Sequence, residues 1–122
     1  FGSGDGGFSS SMALPIGTGS YSFAILISDL NNDSVPDIVF PNLGSGVGNL
    51  GVFYGRGNRS FTIRKNYLMD APAAPRDFQI GDMNLDGKMD VIIIDGTNAI
   101  LSILVQDKTE PFATPITLAL SN

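Results

Sequence analysis

The 122-residue sequence contains no cysteine and no histidine. That double absence removes thiolate and imidazole chemistry together: the usual zinc clusters, Cys/His and Ser/His/Asp nucleophiles, and haem ligation by His. It is neutral about compartment, because a metal can staple an extracellular domain where no disulfide does. Long apolar runs are missing as well. The longest, FAILI at 23–27, falls far short of the roughly 18 to 20 residues that a spanning helix needs, so no membrane insertion is expected. Basic clusters are absent: seven Lys and Arg are scattered through a chain of net charge −5, and only Arg64 and Lys65 are adjacent. Nucleic acid is therefore not an expected partner. No segment carries helical periodicity. The chain opens on Phe1 without a basic-then-apolar leader, and reads as a processed chain or an excerpt from a longer one. With 43% hydrophobic and 16% charged residues, it belongs among globular domains and not among disordered chains.

Glutamate is scarce too, and that scarcity points to what is present. Eleven of the twelve acidic residues are Asp, with Glu110 the exception, and six of those Asp fall in two nonapeptides, DLNNDSVPD at 29–37 and DMNLDGKMD at 82–90. Acidity that served only solubility would mix Glu with Asp and spread both over the surface. Both nonapeptides read DxNxDxxxD, and they lie 53 residues apart.

The same offset relates other parts of the chain. FGSGDGGF at 1–8 aligns with YGRGNRSF at 54–61, and an eroded third copy, VQDKTEPF at 105–112, follows after a further 51 residues. A repeat of this length is a supersecondary unit that cannot bury its apolar surface alone. Within one period the pattern is strand, turn, strand: FAILISD, DIVFPN, NLGVFYG and SFTIRKNYL in the first copy, DFQIGD, DVIIID, AILSILVQ and FATPITLAL in the second. FAILI and VIIID are unbroken apolar runs, as in strands covered on both faces, whereas TIRKNY alternates with charge, as in a wet outer strand. The expected architecture is all-β: about two four-stranded antiparallel sheets arranged as β-propeller blades rather than as a flat sandwich. The expected boundaries are an outer strand of a preceding blade at 1–16, one blade at 17–69 and a second at 70–122.

Oxygens from positions 1, 3 and 5 of such a loop can converge on one point, with a backbone carbonyl at position 7 and a carboxylate at position 9. The candidate ligands are Asp29, Asn31, Asp33, the Val35 carbonyl and Asp37, and again Asp82, Asn84, Asp86, the Lys88 carbonyl and Asp90. All-oxygen sites of irregular geometry suit Ca2+ better than Mg2+, so two calcium sites are expected. Without a cation, carboxylates about 4 to 5 Å apart repel by about 1 to 4 kcal/mol per pair, depending on effective dielectric. An EF-hand shares the opening of this motif but requires Glu at position 12 between helices. Position 12 is Phe40 in one loop and Ile93 in the other. The competing explanation, that Asp and Asn merely favour tight turns, accounts less well for two copies in the same phase. Gly87 at position 6 of the second loop suits a left-handed turn residue, whereas Ser34 in the first does not, so the first loop is expected to be the more strained.

Phe1-Gly2, Tyr54-Gly55, the APAAP element at 71–75 and the two acidic loops together resemble the FG-GAP/VCBS-type repeats, found in integrin α-subunit heads and in many secreted proteins. The resemblance implies a calcium-stabilised, usually seven-bladed propeller outside the cell, secreted or on the cell surface, with the metal in the hairpin between the first two strands of each blade. It assigns the ligands named above and no others. Val105-Gln106 departs from it where a third Phe-Gly would stand. Two blades do not close a ring that needs about four to eight, so the expected partners are other propeller blades or copies of the chain itself, with an outer strand near 8–16 pairing outside its own blade.

The expected function is a non-catalytic structural module for adhesion, matrix or assembly. Glycan recognition is the alternative, through sugar stacking on Tyr21, Tyr54 or Tyr67; against it, the same rings can pack at blade edges. For glycosidase chemistry the remaining loop acids, Asp70, Asp77, Asp95 and Asp107, show no spacing that suggests a pair. Two sequons, at Asn32 and Asn58, fall on predicted turns and agree with a secreted glycoprotein.

Overall fold

The computed structural model describes residues 1–17, 22–42, 48–68, 75–95, 99–106, 112 and 115–119. Tyr21, Asp70, Asp107, residues 43–47 of the Gly-rich loop and residues 71–74 of the APAAP element lie outside them. Eight strands follow in chain order: β1 (Leu26–Ser28), β2 (Asp37–Asn42), β3 (Asn49–Phe53), β4 (Lys65–Leu68), β5 (Pro75–Gly81), β6 (Asp90–Asp95), β7 (Ile100–Leu104) and β8 (Pro115–Ala119). They form two four-stranded sheets, β1-β2-β3-β4 and β5-β6-β7-β8, each antiparallel throughout and wound in chain order. The acidic nonapeptides are the β1–β2 and β5–β6 connections. DIVFPN and DVIIID become β2 and β6 without a residue's difference.

Registers show the repeat in three dimensions. Ile38 pairs with Phe53 as Val91 pairs with Leu104, and Pro41 with Leu50 as Ile94 with Leu101. The Phe-Gly elements repeat as well: single antiparallel bridges join Gly2 to Phe8 and Gly55 to Phe61. Ser3 N–H donates to the Gly7 carbonyl at 2.9 Å, as Arg56 N–H does to Ser60 at 3.0 Å.

The core lies between the sheets. Val39, Leu50 and Val52 on the back of the first sheet meet Phe78, Val91, Ile93 and Leu104 on the front of the second, with Leu30 closing one end. Side chains directly across neighbouring strands share a face, which is why the β-branched and aliphatic residues at these registers form one apolar layer. The outer edge is wet, as TIRKNY suggested: Lys65, Asn66 and Leu68 of β4 are exposed and Tyr67 turns inward, edge-on to Phe112 at 5.1 Å between ring centroids.

One expectation needs correcting. FAILI is not covered on both faces: the strand begins only at Leu26, and Ile25 and Ile27 are 60% and 66% exposed. Among the described residues no further sheet lies on the front of this one. Residues 8–16, expected to pair outside their own blade, form no strand with the described residues; Met12, Leu14 and Ile16 line an apolar groove of 370 Å³ with Ile25, Phe40 and Phe53.

Position within the stack decides what a side chain contributes. Leu50, fully buried, and Leu118, 50% exposed on the back of the second sheet, which no other described residues cover, are both aliphatic strand residues. Leu50→Ala is expected to cost about 2 to 5 kcal/mol, and Leu118→Ala about 1 kcal/mol or less, in urea unfolding of dilute protein. Equal losses would place the core elsewhere.

Candidate functional site: the paired acidic loops

In the first loop the Asp33 N–H lies 3.1 Å from Asp29 Oδ1 and 3.2 Å from Asn31 Oδ1, a shared donor that draws both oxygens to one side. Ser34 N–H donates to Asp29 Oδ2 at 2.8 Å, and Val35 N–H to Asp33 Oδ1 at 2.8 Å. Asn31 Nδ2 donates to Asp33 Oδ2 at 2.8 Å. The second loop repeats this net bond for bond: Asp86 N–H to Asp82 Oδ1 and Asn84 Oδ1, both 3.1 Å; Gly87 N–H to Asp82 Oδ2, 2.9 Å; Lys88 N–H to Asp86 Oδ1, 2.9 Å; and Asn84 Nδ2 to Asp86 Oδ2, 3.2 Å. Short acceptor side chains at alternate positions hold the backbone in consecutive turns.

The turns require left-handed residues. Asn32 and Ser34 have φ of 58° and 66°, and their counterparts Leu85 and Gly87 have 59° and 83°. Position 6 is therefore left-handed in both loops, as Gly87 suggested, and Ser34 carries the penalty that glycine avoids. Leu85 is an apolar left-handed residue on an exposed loop tip, for which we have no physical account.

The ninth-position carboxylates do something else first. Asp37 and Asp90 are fully buried. Asp37 accepts from Leu30 N–H and Gly55 N–H, both at 2.8 Å, and Asp90 from Met83 N–H and Gln106 N–H, both at 2.9 Å. Each thus ties the acidic loop to the residues just beyond the third strand of its sheet. Burial pushes the Asp37 carboxyl up, helped by the charges of Asp33 and Asp29, while the two backbone donors oppose the rise. The native state then holds that proton more tightly than the unfolded chain, so ionising Asp37 costs stability as pH rises from the ordinary carboxylate range through the raised value.

The second clamp forms although Gln106 stands where the first sheet has Gly55. The bond comes from a backbone N–H, which Gln106 supplies as well as Gly55 does. Gly55 is needed in the first sheet because a Cβ there would stand 2.4 Å from the Pro36 carbonyl oxygen. The substitution has a cost, since Gln106 Oε1 is buried with no partner among the described residues.

Among the described residues no three carboxylates stand together as a finished ligand cluster. The donor chemistry nevertheless fits a hard cation. Positions 1, 3 and 5 bring carboxylate and amide oxygens together, each retaining a lone pair beyond its N–H bond. Asn31 Nδ2 and Asn84 Nδ2 supply the positive partial charge against Asp33 and Asp86. The expected ligands thus divide: Asp29, Asn31 and Asp33, with Asp82, Asn84 and Asp86, form the nets, and Asp37 and Asp90 sit behind them as clamps. The Val35 and Lys88 positions contribute N–H bonds to the nets.

One contact had no signal in the sequence. Asn32 Nδ2 donates to the Gly87 carbonyl at 3.1 Å, linking the two loops across the sheets. The amide of the first sequon is thus already engaged, whereas Asn58 is exposed on its own turn with φ of 50°. The tyrosines pack: Tyr54 is buried with its hydroxyl 2.9 Å from that of Tyr67, and burial raises its pKa well beyond the phenol range. Two of the acids expected on loops lie in strands instead, Asp77 exposed in β5 and Asp95 buried in β6. Asp77 pairs with Ile94, the neighbour of Asp95, so the two carboxyls emerge on opposite faces.

No family model, no curated protein and no solved structure matches this chain.

Ser34→Gly should stabilise the protein by about 1 kcal/mol, and Gly87→Ser should destabilise it by a similar amount. Asp37→Asn and Asp90→Asn, which set an amide N–H against a backbone N–H, should each cost about 1 to 3 kcal/mol. Denaturant midpoints of the four variants check this; a neutral Asp37→Asn would show that the clamp is dispensable.

Proposed function

We propose that this chain is a non-catalytic, calcium-stabilised structural module of the FG-GAP/VCBS type, whose two sheets are β-propeller blades and whose setting is extracellular, secreted or on the cell surface. The observation that carries the reading is the duplication of the acidic net: two loops one repeat apart make the same bonds with the same atoms, each placing one carboxylate and one amide oxygen around one shared N–H, with a second carboxylate bonded to the same amide. Repulsion among these groups disfavours the loop on its own, and a hard divalent cation removes it. Asp29, Asn31 and Asp33 would hold one ion and Asp82, Asn84 and Asp86 the other, with the Val35 and Lys88 carbonyls and the clamp residues Asp37 and Asp90 completing the donor set. Bound calcium would neutralise the loops and stiffen the ends of β1, β2, β5 and β6.

Extracellular calcium of about 1 mM fills a site of about 10 μM affinity, and saturation at a hundredfold excess adds about 2.7 kcal/mol per site. That is a substantial part of the stability of a small domain. The role is adhesion, matrix building or assembly through rigid surfaces. The opposed placement of Asp77 and Asp95 speaks against an acid pair, and the packed rings of Tyr54 and Tyr67 favour the structural role over sugar stacking.

Thermal unfolding in 1 mM calcium and in excess chelator tests the proposal. Calcium should raise the midpoint, magnesium should raise it less, and Asp29→Asn combined with Asp82→Asn should abolish the difference. An unchanged midpoint in the parent protein removes the metal from the account.

A further inference from the structure

The two sheets are one repeat apart, so every surface of one has a counterpart on the other. Inside the chain, the back of β1–β4 packs on the front of β5–β8. One repeat earlier, the positions of Phe78, Ile80, Val91, Ile93 and Leu104 belong to Ile25, Ile27, Ile38, Phe40 and Phe53, which form the front of the first sheet. Phe78 is 2% exposed where it meets a partner sheet, and its counterpart Ile25 is 60% exposed. One repeat later, Val39, Pro41, Leu50 and Val52 correspond to Ile92, Ile94, Leu101 and Ile103 on the back of the second sheet. There β6, β7 and β8 align two aliphatic rows, Ile92-Ile103-Ile116 and Ile94-Leu101-Leu118. Ile94, Ile116 and Leu118 are 41%, 53% and 50% exposed.

We propose that the back of β5–β8 in one copy docks on the front of β1–β4 in a second copy, repeating in trans the sheet-to-sheet interface that the chain already contains. A second copy is the occupant because the internal interface supplies the template: a back face of this repeat fits a front face of this repeat, and among the described residues the back of β5–β8 and the Ile25–Ile27 side of the front of β1–β4 are open, while Phe40 and Phe53 are each 3% exposed. The aliphatic rows carry no charge for a polar partner to recognise. Met12, Leu14 and Ile16 lie beside Phe40 and Phe53 on the front, while Ile25 and Ile27 at the inner strand stay open, so the incoming sheet meets those two residues first.

The two docking patches differ, so the contact is heterologous, and copies add in one sense to give a ring or a filament. With two sheets per copy, a closed ring of about four to eight sheets holds two to four copies. The proposal gives the structural role put forward above a definite surface, but it does not depend on the metal.

Sedimentation of the 122-residue chain in calcium and in chelator tests it, with two variants. Ile94→Lys/Leu118→Lys disables the back face, and Ile25→Lys/Ile27→Lys the front. The parent should associate with rising concentration, each variant should stay monomeric, and an equimolar mixture should form a 1:1 dimer and nothing larger, because one good face of each kind remains. Should the lysine pairs unfold by circular dichroism, serine pairs at the same positions carry the same mixing test. A parent monomeric throughout, a single variant that still dimerises, or folded variants that do not pair would each overturn the proposal. Failure to associate with a calcium-dependent melting midpoint intact defeats the docking alone; association without that midpoint shift defeats the ion alone.

Discussion

The structure depends on two buried carboxylates. Asp37 and Asp90 each accept one N–H from the acidic loop and one from the residue two or so positions past the third strand. Antiparallel ladders hold neighbouring strands together, but nothing in a ladder fixes where a long hairpin loop sits against the end of the strand beyond. The carboxylate does so with both of its oxygens. Because it is fully buried, breaking either bond leaves a charged oxygen without water, and that penalty makes the position of the loop specific.

A loop held in this way can concentrate charge. Asp29 and Asp33, like Asp82 and Asp86, are kept close by backbone donors that satisfy their hydrogen-bonding needs but not their net charge. The result is a pre-arranged group of like charges, which on the function proposed above a divalent ion would relieve. The bond from Asn32 to the Gly87 carbonyl places the two loops side by side.

Sheet stacking follows from the same repeat. Each sheet has two apolar faces, and among the described residues one back meets one front. Ile25 and Ile27 are exposed for the same reason that Phe78 is buried: the side-chain pattern is alike, and the presence of a neighbouring sheet differs. A run such as FAILI therefore encodes a capacity to be covered on both faces, without stating whether a cover is present.

Strand order, the β2 and β6 boundaries, the wet outer strand and the left-handed sixth position of each loop were legible in the sequence, because they arise from local rules: alternation, turn chemistry and the freedom of glycine. The departure at Gln106 looked serious in the sequence and is not, because the bond it might have broken uses the backbone, which every non-proline residue carries. The clamp bonds of Asp37 and Asp90, the Asn32 bridge, the hydroxyl contact between Tyr54 and Tyr67 and the passage of residues 12–16 along the front of the first sheet were invisible. Each depends on which distant segment arrives beside it. Sequence alone determined the repeat, the strands and the chemistry of the loops, since these are properties of neighbours along the chain. Only the tertiary structure decided which faces are covered and which carboxylates are buried, since burial is set by what packs against a residue and not by what precedes it.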